Sequence, residues 1–255
     1  SPAFDTDLAV LNWTQLFNEQ TAGFAVGRLA FDAYLDAFPF QTFSRGFLNR
    51  AFLLSPTMAT TGIGALGAVA KGFVNNNVWL GGQIYDGNAA SGEFDMDTFE
   101  QGEWLKAIEV GWTPSIDRRS TDRIQLTWWD KDEREQAGTA AGQGWVVSGS
   151  VKRDEWFPFF RFGHSDGGAG VTATHSAAIG FEYTTRPDQA LSLGLGWANP
   201  VLEHNNDEYV VETSYKFQLL KGFSLLPNLQ LLINPADNPS EEQVWVFGLR
   251  GILSL

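Results

Sequence analysis

The sequence contains no cysteine, which excludes a disulfide framework, a thiolate metal site and a cysteine nucleophile. Basic residues are scarce: 17 Lys and Arg stand against 30 Asp and Glu, a formal net charge of -13. That is the wrong sign for a generic nucleic-acid binder, so no nucleic-acid partner is expected. There is no apolar run of about 18 residues, which rules out a bundle of membrane-spanning helices. A membrane barrel stays open, because only alternate residues of each barrel strand need face lipid. The three histidines, His164, His175 and His204, lack any HExxH-like spacing, so neither a zinc site nor another metal or cofactor is expected. The opening Ser1-Pro2-Ala3-Phe4-Asp5 has neither a basic nor an apolar signal region; any export signal has been removed or never belonged to this chain.

What is abundant is aromatic residues, 14% of the chain with ten Trp and twenty Phe, together with 27 glycines. They recur with a period of two. Trp245, Phe247, Leu249, Gly251, Leu253 and Leu255 share one face of a strand, opposite Val246, Gly248, Arg250, Ile252 and Ser254. Ile124, Leu126 and Trp128 likewise oppose Arg123, Gln125, Thr127 and Trp129. One face is oily and the other small or polar. The pattern predicts thirteen strands, at 8–17, 24–32, 62–72, 78–86, 103–113, 121–130, 144–152, 156–164, 176–184, 190–198, 208–218, 224–233 and 243–255. Most have about 9 to 11 residues, enough for a tilted strand to cross hydrocarbon.

Their connections alternate between short turns and long loops (33–61, 87–102, 131–143, 165–175, 199–207 and 234–242). A soluble sandwich has no reason to sort its loops by end, whereas outer-membrane barrels pair short periplasmic turns with long external loops. The fold class expected is therefore all-β, a single antiparallel transmembrane β-barrel domain over 1–255. Such barrels have an even strand number with both termini periplasmic, so at least one strand is expected to precede Ser1.

Tyr215-Lys216-Phe217-Gln218, Leu226-Pro227-Asn228-Leu229-Gln230, Ile233-Asn234-Pro235 and Phe247-Gly248-Leu249-Arg250 resemble the C-terminal signature of the carbohydrate-selective porin (OprB) family. Phe47-Leu48-Asn49, Ala51-Phe52 and Gln83-Ile84-Tyr85-Asp86-Gly87-Asn88 resemble further family segments. The resemblance implies a sixteen-stranded bacterial outer-membrane channel passing small sugars, of which this chain is the C-terminal portion. It also implies lipid and lipopolysaccharide as surroundings and a homotrimer as the assembly to test. Leu255 departs from the Phe or Trp that often ends such barrels.

On the face away from lipid, alternation places Arg28, Asp32, Glu109, Arg123, Arg161, Glu182, Glu212, Lys216 and Arg250, with Gln83, Tyr85 and Trp129. Paired Arg and carboxylate offer in-plane hydrogen bonds to a sugar, and aromatic rings cover its C–H faces. The same charges could instead tie strands together. Trp112, Trp145, Trp156, Trp197, Tyr183, Tyr209 and Trp245 lie near strand ends on the oily face, as an interfacial girdle would. Loop 33–61 carries Tyr34, Phe38, Phe40, Phe43, Phe47 and Phe52, too apolar to remain in water, and is expected to pack into the lumen and constrict it. Arg45 and Arg50 are its candidates for the passage. The other long loops are acidic (Glu93, Asp95, Asp97 and Glu100; Glu203, Asp207 and Glu208; Asp237, Glu241 and Glu242), through solvation or by holding divalent cations.

Gly62, Gly64 and Gly67, with Asp86 about twenty residues on, fit a dinucleotide fingerprint, but no strand precedes them and no helix follows. The leading function is passive, sugar-preferring diffusion without catalysis. The alternatives are a channel for small carboxylates or other nutrients, a soluble β-sandwich carbohydrate-binding module, and a hydrolase using Ser165 with His164 or His175. Adjacent strand residues point to opposite faces, which counts against the last.

Overall fold

Side chains alternate across a strand, so a period of two lets one face be oily while the other is not. A computed structural model describes residues 10–42, 44–62, 64–89, 102–202 and 204–253. Thirteen strands form in it: β1 Leu11–Phe17, β2 Ala22–Leu29, β3 Ala65–Phe73, β4 Val78–Asp86, β5 Trp104–Trp112, β6 Arg123–Lys131, β7 Gly142–Ser150, β8 Trp156–Ser165, β9 Ala173–Arg186, β10 Gln189–Pro200, β11 Glu208–Leu220, β12 Phe223–Ile233 and β13 Gln243–Leu253. Each pairs antiparallel with its neighbours in sequence, giving one sheet in the order β1 to β13. A single sheet is not a sandwich. Nor is it closed: among the described residues β1 and β13 are its two edges. No described helix is long and apolar enough to cross a membrane.

The predicted strands are all present, with ends shifted by a few residues. β3 begins only at Ala65. Connections at one end of the sheet are short, with two residues each between β9 and β10 (187–188) and between β11 and β12 (221–222). Those at the other end are long, the longest being 30–64. The 90–101 part of one acidic loop (Glu93, Asp95, Asp97, Glu100), Glu203, Phe43 and the terminal Leu255 lie outside the described residues.

One face of the sheet is apolar and exposed. On β13, Trp245, Phe247, Leu249 and Leu253 are 56%, 79%, 70% and 70% exposed, a continuous oily row of the kind that hydrocarbon covers. Between Trp245 and Leu253 a strand rises roughly 26 Å at about 3.3 Å per residue, roughly 20 Å across a bilayer at a tilt of about 40°. Aromatic residues bound this band at both ends. Trp128 pairs with Trp145, and Trp197 with Tyr209, toward the long loops. Trp156 pairs with Tyr183 near the short turns, their rings 4.7 Å apart.

The opposite face is not empty, because the segment after β2 folds back across it. Phe38, Phe40, Phe47 and Phe52 of this segment are buried with Phe157 and Phe159 of β8. Phe40 lies 4.8 Å from the Phe157 ring and 4.5 Å from that of Phe159. Such close aromatic pairs add to what their buried area contributes. The segment also buries Leu35 and Met58 against Tyr85, Leu105, Trp129 and Val146. Two glycines permit the close approach. A Cβ on Gly46 would sit 2.0 Å from Ser192 Oγ, and one on Gly194 would sit 2.7 Å from the Phe52 ring.

Candidate functional site

The contacts between segment 30–64 and the inner wall define the site, and they are ionic as well as apolar. Asp36, fully buried, lies 3.1 Å from Arg161 of β8. Gln125 Nε2 (2.9 Å) and Ser148 Oγ (3.1 Å) donate to its Oδ1. Burial pushes the Asp36 carboxyl above its ordinary value, and Arg161 works against that shift. The Arg161 guanidinium stacks 4.6 Å from the Phe38 ring, so the buried cation faces both a carboxylate and a π-cloud.

A second anchor lies toward the other edge. Glu212 of β11 accepts from the backbone N–H groups of Leu48 (2.7 Å) and Asn49 (3.0 Å) and from Asn228 Nδ2. Asn49 then caps the single helical turn α1, Arg50–Leu53, by accepting from Ala51 N. Arg250 of β13 donates to the carbonyls of Arg45 (2.9 Å) and Gly46 (3.1 Å). Arg45 itself pairs with Glu182 of β9 at 2.6 Å, its guanidinium 5.1 Å from the Phe157 ring. Lys131 Nζ donates to Thr60 O at 2.7 Å, holding the end of the segment.

Of the residues placed on the inner face by alternation, Glu109, Arg123, Arg161, Glu182, Glu212, Gln83, Tyr85 and Trp129 all stand on the face that carries the segment, but several are covered by it. Tyr85 and Trp129 are fully buried, and Gln83 donates to Tyr34 O (3.0 Å) while accepting from Tyr85 Oη (2.7 Å). Glu109 is sealed by an ion pair with Lys71 and by Trp79 Nε1 at 2.8 Å. Arg45, Glu182, Lys216 and Arg250 keep partial exposure. Arg50, at the start of α1, is exposed.

One assignment is corrected. Asp32 is not on a strand: β2 ends at Leu29, and Asp32 sits exposed in a 3-10 turn, Phe31–Ala33. Arg28 pairs in register with Leu11 and Leu66 and is buried, unlike the exposed Phe24 and Val26; Gly27 just before it has a φ of +132°.

Sequence reading gave no site role to Asp36, Lys71, Trp79, Asn228 or the Phe157–Phe159 platform. The last had a signal: two large apolar side chains on the otherwise polar parity of β8 imply that something packs there. Among the acidic loop residues, Asp207 accepts from Trp197 Nε1 (3.0 Å) and Asn199 Nδ2 (2.8 Å), and Glu208 accepts from Ala236 N (2.7 Å). Hydrogen bonds from Asn199 and Trp197 hold the Asp207 carboxyl below its ordinary value. These carboxylates tie the loop ends together.

Residues 131–254 match the sequence model of the carbohydrate-selective porin, OprB family. In three dimensions the chain is similar to Pseudomonas putida OprB in its high-pH structure, with a TM-score of 0.70 and 14% identity over 95% of this chain and 71% of that one. It is also similar to two substituted forms of the Rh. blastica porin, with TM-scores of 0.53 and 0.52 and identities of 13% and 14%, each over 91% of this chain and 73% of the other. Among curated protein sequences none matches significantly. At these identities the structural likeness carries the fold, and the family rests on the sequence match. The described chain thus has a porin fold, and over residues 131–254 it carries the sequence pattern of the carbohydrate-selective porin, OprB family.

Proposed function

We propose that the intact protein is a bacterial outer-membrane porin through which small sugars diffuse passively, and that segment 33–61 narrows its lumen. One observation carries this reading: an aromatic-bounded oily face on one side of the sheet, with a loop tied by buried charges on the other. Hydrocarbon is the solvent that makes the first face stable, and a water-filled barrel is what gives the second its polar surroundings. The short-turn end faces the periplasm and the long loops face outward. A trimer is the assembly in which the oily face would be partly shared.

Arg45, Glu182, Lys216 and Arg250 are the groups offered to solute. Arg45 and Glu182 are paired at 2.6 Å, the guanidinium lying 5.1 and 5.6 Å from the buried Phe157 and Phe40 rings. A partly exposed guanidinium beside a carboxylate offers the donors and acceptors that a sugar's hydroxyl groups require. Solute passes down its gradient, without covalent chemistry.

The test is planar-bilayer conductance of the intact gene product with a panel of mono- and disaccharides. Stepwise conductance that sugars reduce in a concentration-dependent way is the expected result. Absence of channels, or block by carboxylates with none by neutral sugars, would overturn it.

A further inference from the structure

A cavity of about 390 Å³ lies at the short-turn end of the inner face, between β1–β4, the start of β6, the β5–β6 turn and the Tyr34 stretch. Its size is within the range of about 300 to 1,000 Å³ typical of small-molecule sites. The chain carries a net charge of -13, yet the charged residues lining this cavity are all cations: Lys71, Arg119 and Arg123. Trp79 organises two of them, its ring 5.2 Å from Lys71 Nζ and 4.9 Å from the Arg123 guanidinium. Glu109, behind Trp79, neutralises Lys71. Arg119 and Arg123 have no carboxylate within ion-pair distance among the described residues; Arg119 donates to Ile116 O (3.0 Å) and Arg123 to Gln125. Arg123 Nε is buried with no hydrogen-bond partner. Phe73 and Val69 supply an apolar floor, and Thr14, Ser120 and Tyr34 supply hydroxyl groups.

We infer that this cavity is a site for a sugar acid, a polyhydroxylated body carrying one carboxylate, at the periplasmic mouth of the channel. The inference rests on the channel reading above and deepens it by naming an anionic class of solute. Arg119 and Arg123, neither in direct contact with a carboxylate although Glu109 and Asp36 lie near enough to act on Arg123, stand in low-dielectric walls and focus a positive potential on the space between them. A carboxylate answers that potential, the hydroxyl groups answer those of the wall, and the floor accepts the C–H face. A neutral sugar lacks the first contact, and a bare anion lacks the others.

The test is single-channel block of the full-length protein by gluconate, glucose and inorganic phosphate added from the short-turn side. Gluconate is expected to block at a concentration about ten-fold below glucose, and below phosphate. In Arg119→Gln/Arg123→Gln the gluconate-to-glucose ratio of blocking concentrations should rise about ten-fold, the size of two partly screened contacts. Lys152→Gln, which removes an exposed charge outside the cavity at the same end, should leave that ratio unchanged. If the double variant does not insert, Arg119→Gln alone, in a turn, carries the test. Gluconate no more potent than glucose, a ratio indifferent to both arginines, or phosphate as potent as gluconate would each overturn the sugar-acid site while leaving the porin intact. A wild-type protein that forms no channel would overturn the porin reading itself, and this inference with it.

Discussion

Glu212→Ala removes the wall's side of the anchor that holds Leu48 and Asn49. Two backbone N–H groups lose a buried carboxylate acceptor at 2.7 and 3.0 Å. Hydrogen bonds to charged groups contribute about 1.5 to 3 kcal/mol each, so the anchor weakens by about 3 kcal/mol at the low end. At about 1.4 kcal/mol per factor of ten, the detached population of the loop rises about 100-fold. The strand ladder is untouched, since β11 keeps its backbone pairing with β10 and β12. Trypsin reads this directly, because Arg45 and Arg50 lie on either side of the anchor and cleavage tracks the open population when opening is fast. Cleavage there should accelerate about 100-fold in Glu212→Ala and by less in Glu212→Gln, which keeps an acceptor but not the charge. A cleavage rate within about two-fold of wild type, with the strand signal in circular dichroism unchanged, would refute the anchoring role, since it would correspond to under about 0.5 kcal/mol.

Three further outcomes are expected. Leu249→Arg places a cation on the lipid face and should destabilise the barrel by about 2 to 4 kcal/mol in urea unfolding from bilayers, a cost that would vanish if water rather than lipid covers that face. Asp36→Ala leaves Arg161 buried without its carboxylate and should weaken loop attachment by about 3 to 5 kcal/mol, whereas Asp36→Leu with Arg161→Met should be close to neutral; equal losses in the two variants would refute the ion pair as an anchor. Asp207 is held below its ordinary value of 3.8, so its contribution is present above that pH and lost as pH falls through the lower folded value. Trp197 fluorescence should therefore report loop loosening in acid below about pH 4 in wild type, and an Asp207→Asn protein showing the same acid transition would exclude Asp207 as its source.

The strands and the division of their faces were legible from residues such as Trp245, Phe247 and Leu249, because alternation is a local consequence of strand geometry that needs no partner to be read. The aromatic content of 33–61 likewise announced a loop that water could not hold. Which wall residues it would cover was not legible. Tyr85, Trp129 and Gln83 were assigned to the correct face, but parity says nothing about what lies over that face, and the loop buries all three. Asp32 was misplaced on β2, which stops at Leu29 before the segment turns away.

The sequence by itself determined that this chain builds antiparallel strands with one lipid-compatible face, since each side chain's direction follows from its own backbone. Only the tertiary structure decided that Asp36 meets Arg161, that Glu212 holds Leu48 and Asn49, and that Lys71, Arg119 and Arg123 line one cavity. Those contacts join residues far apart in the chain, and their energies depend on burial and distance, which exist only once the sheet has curved and the loop has docked against it.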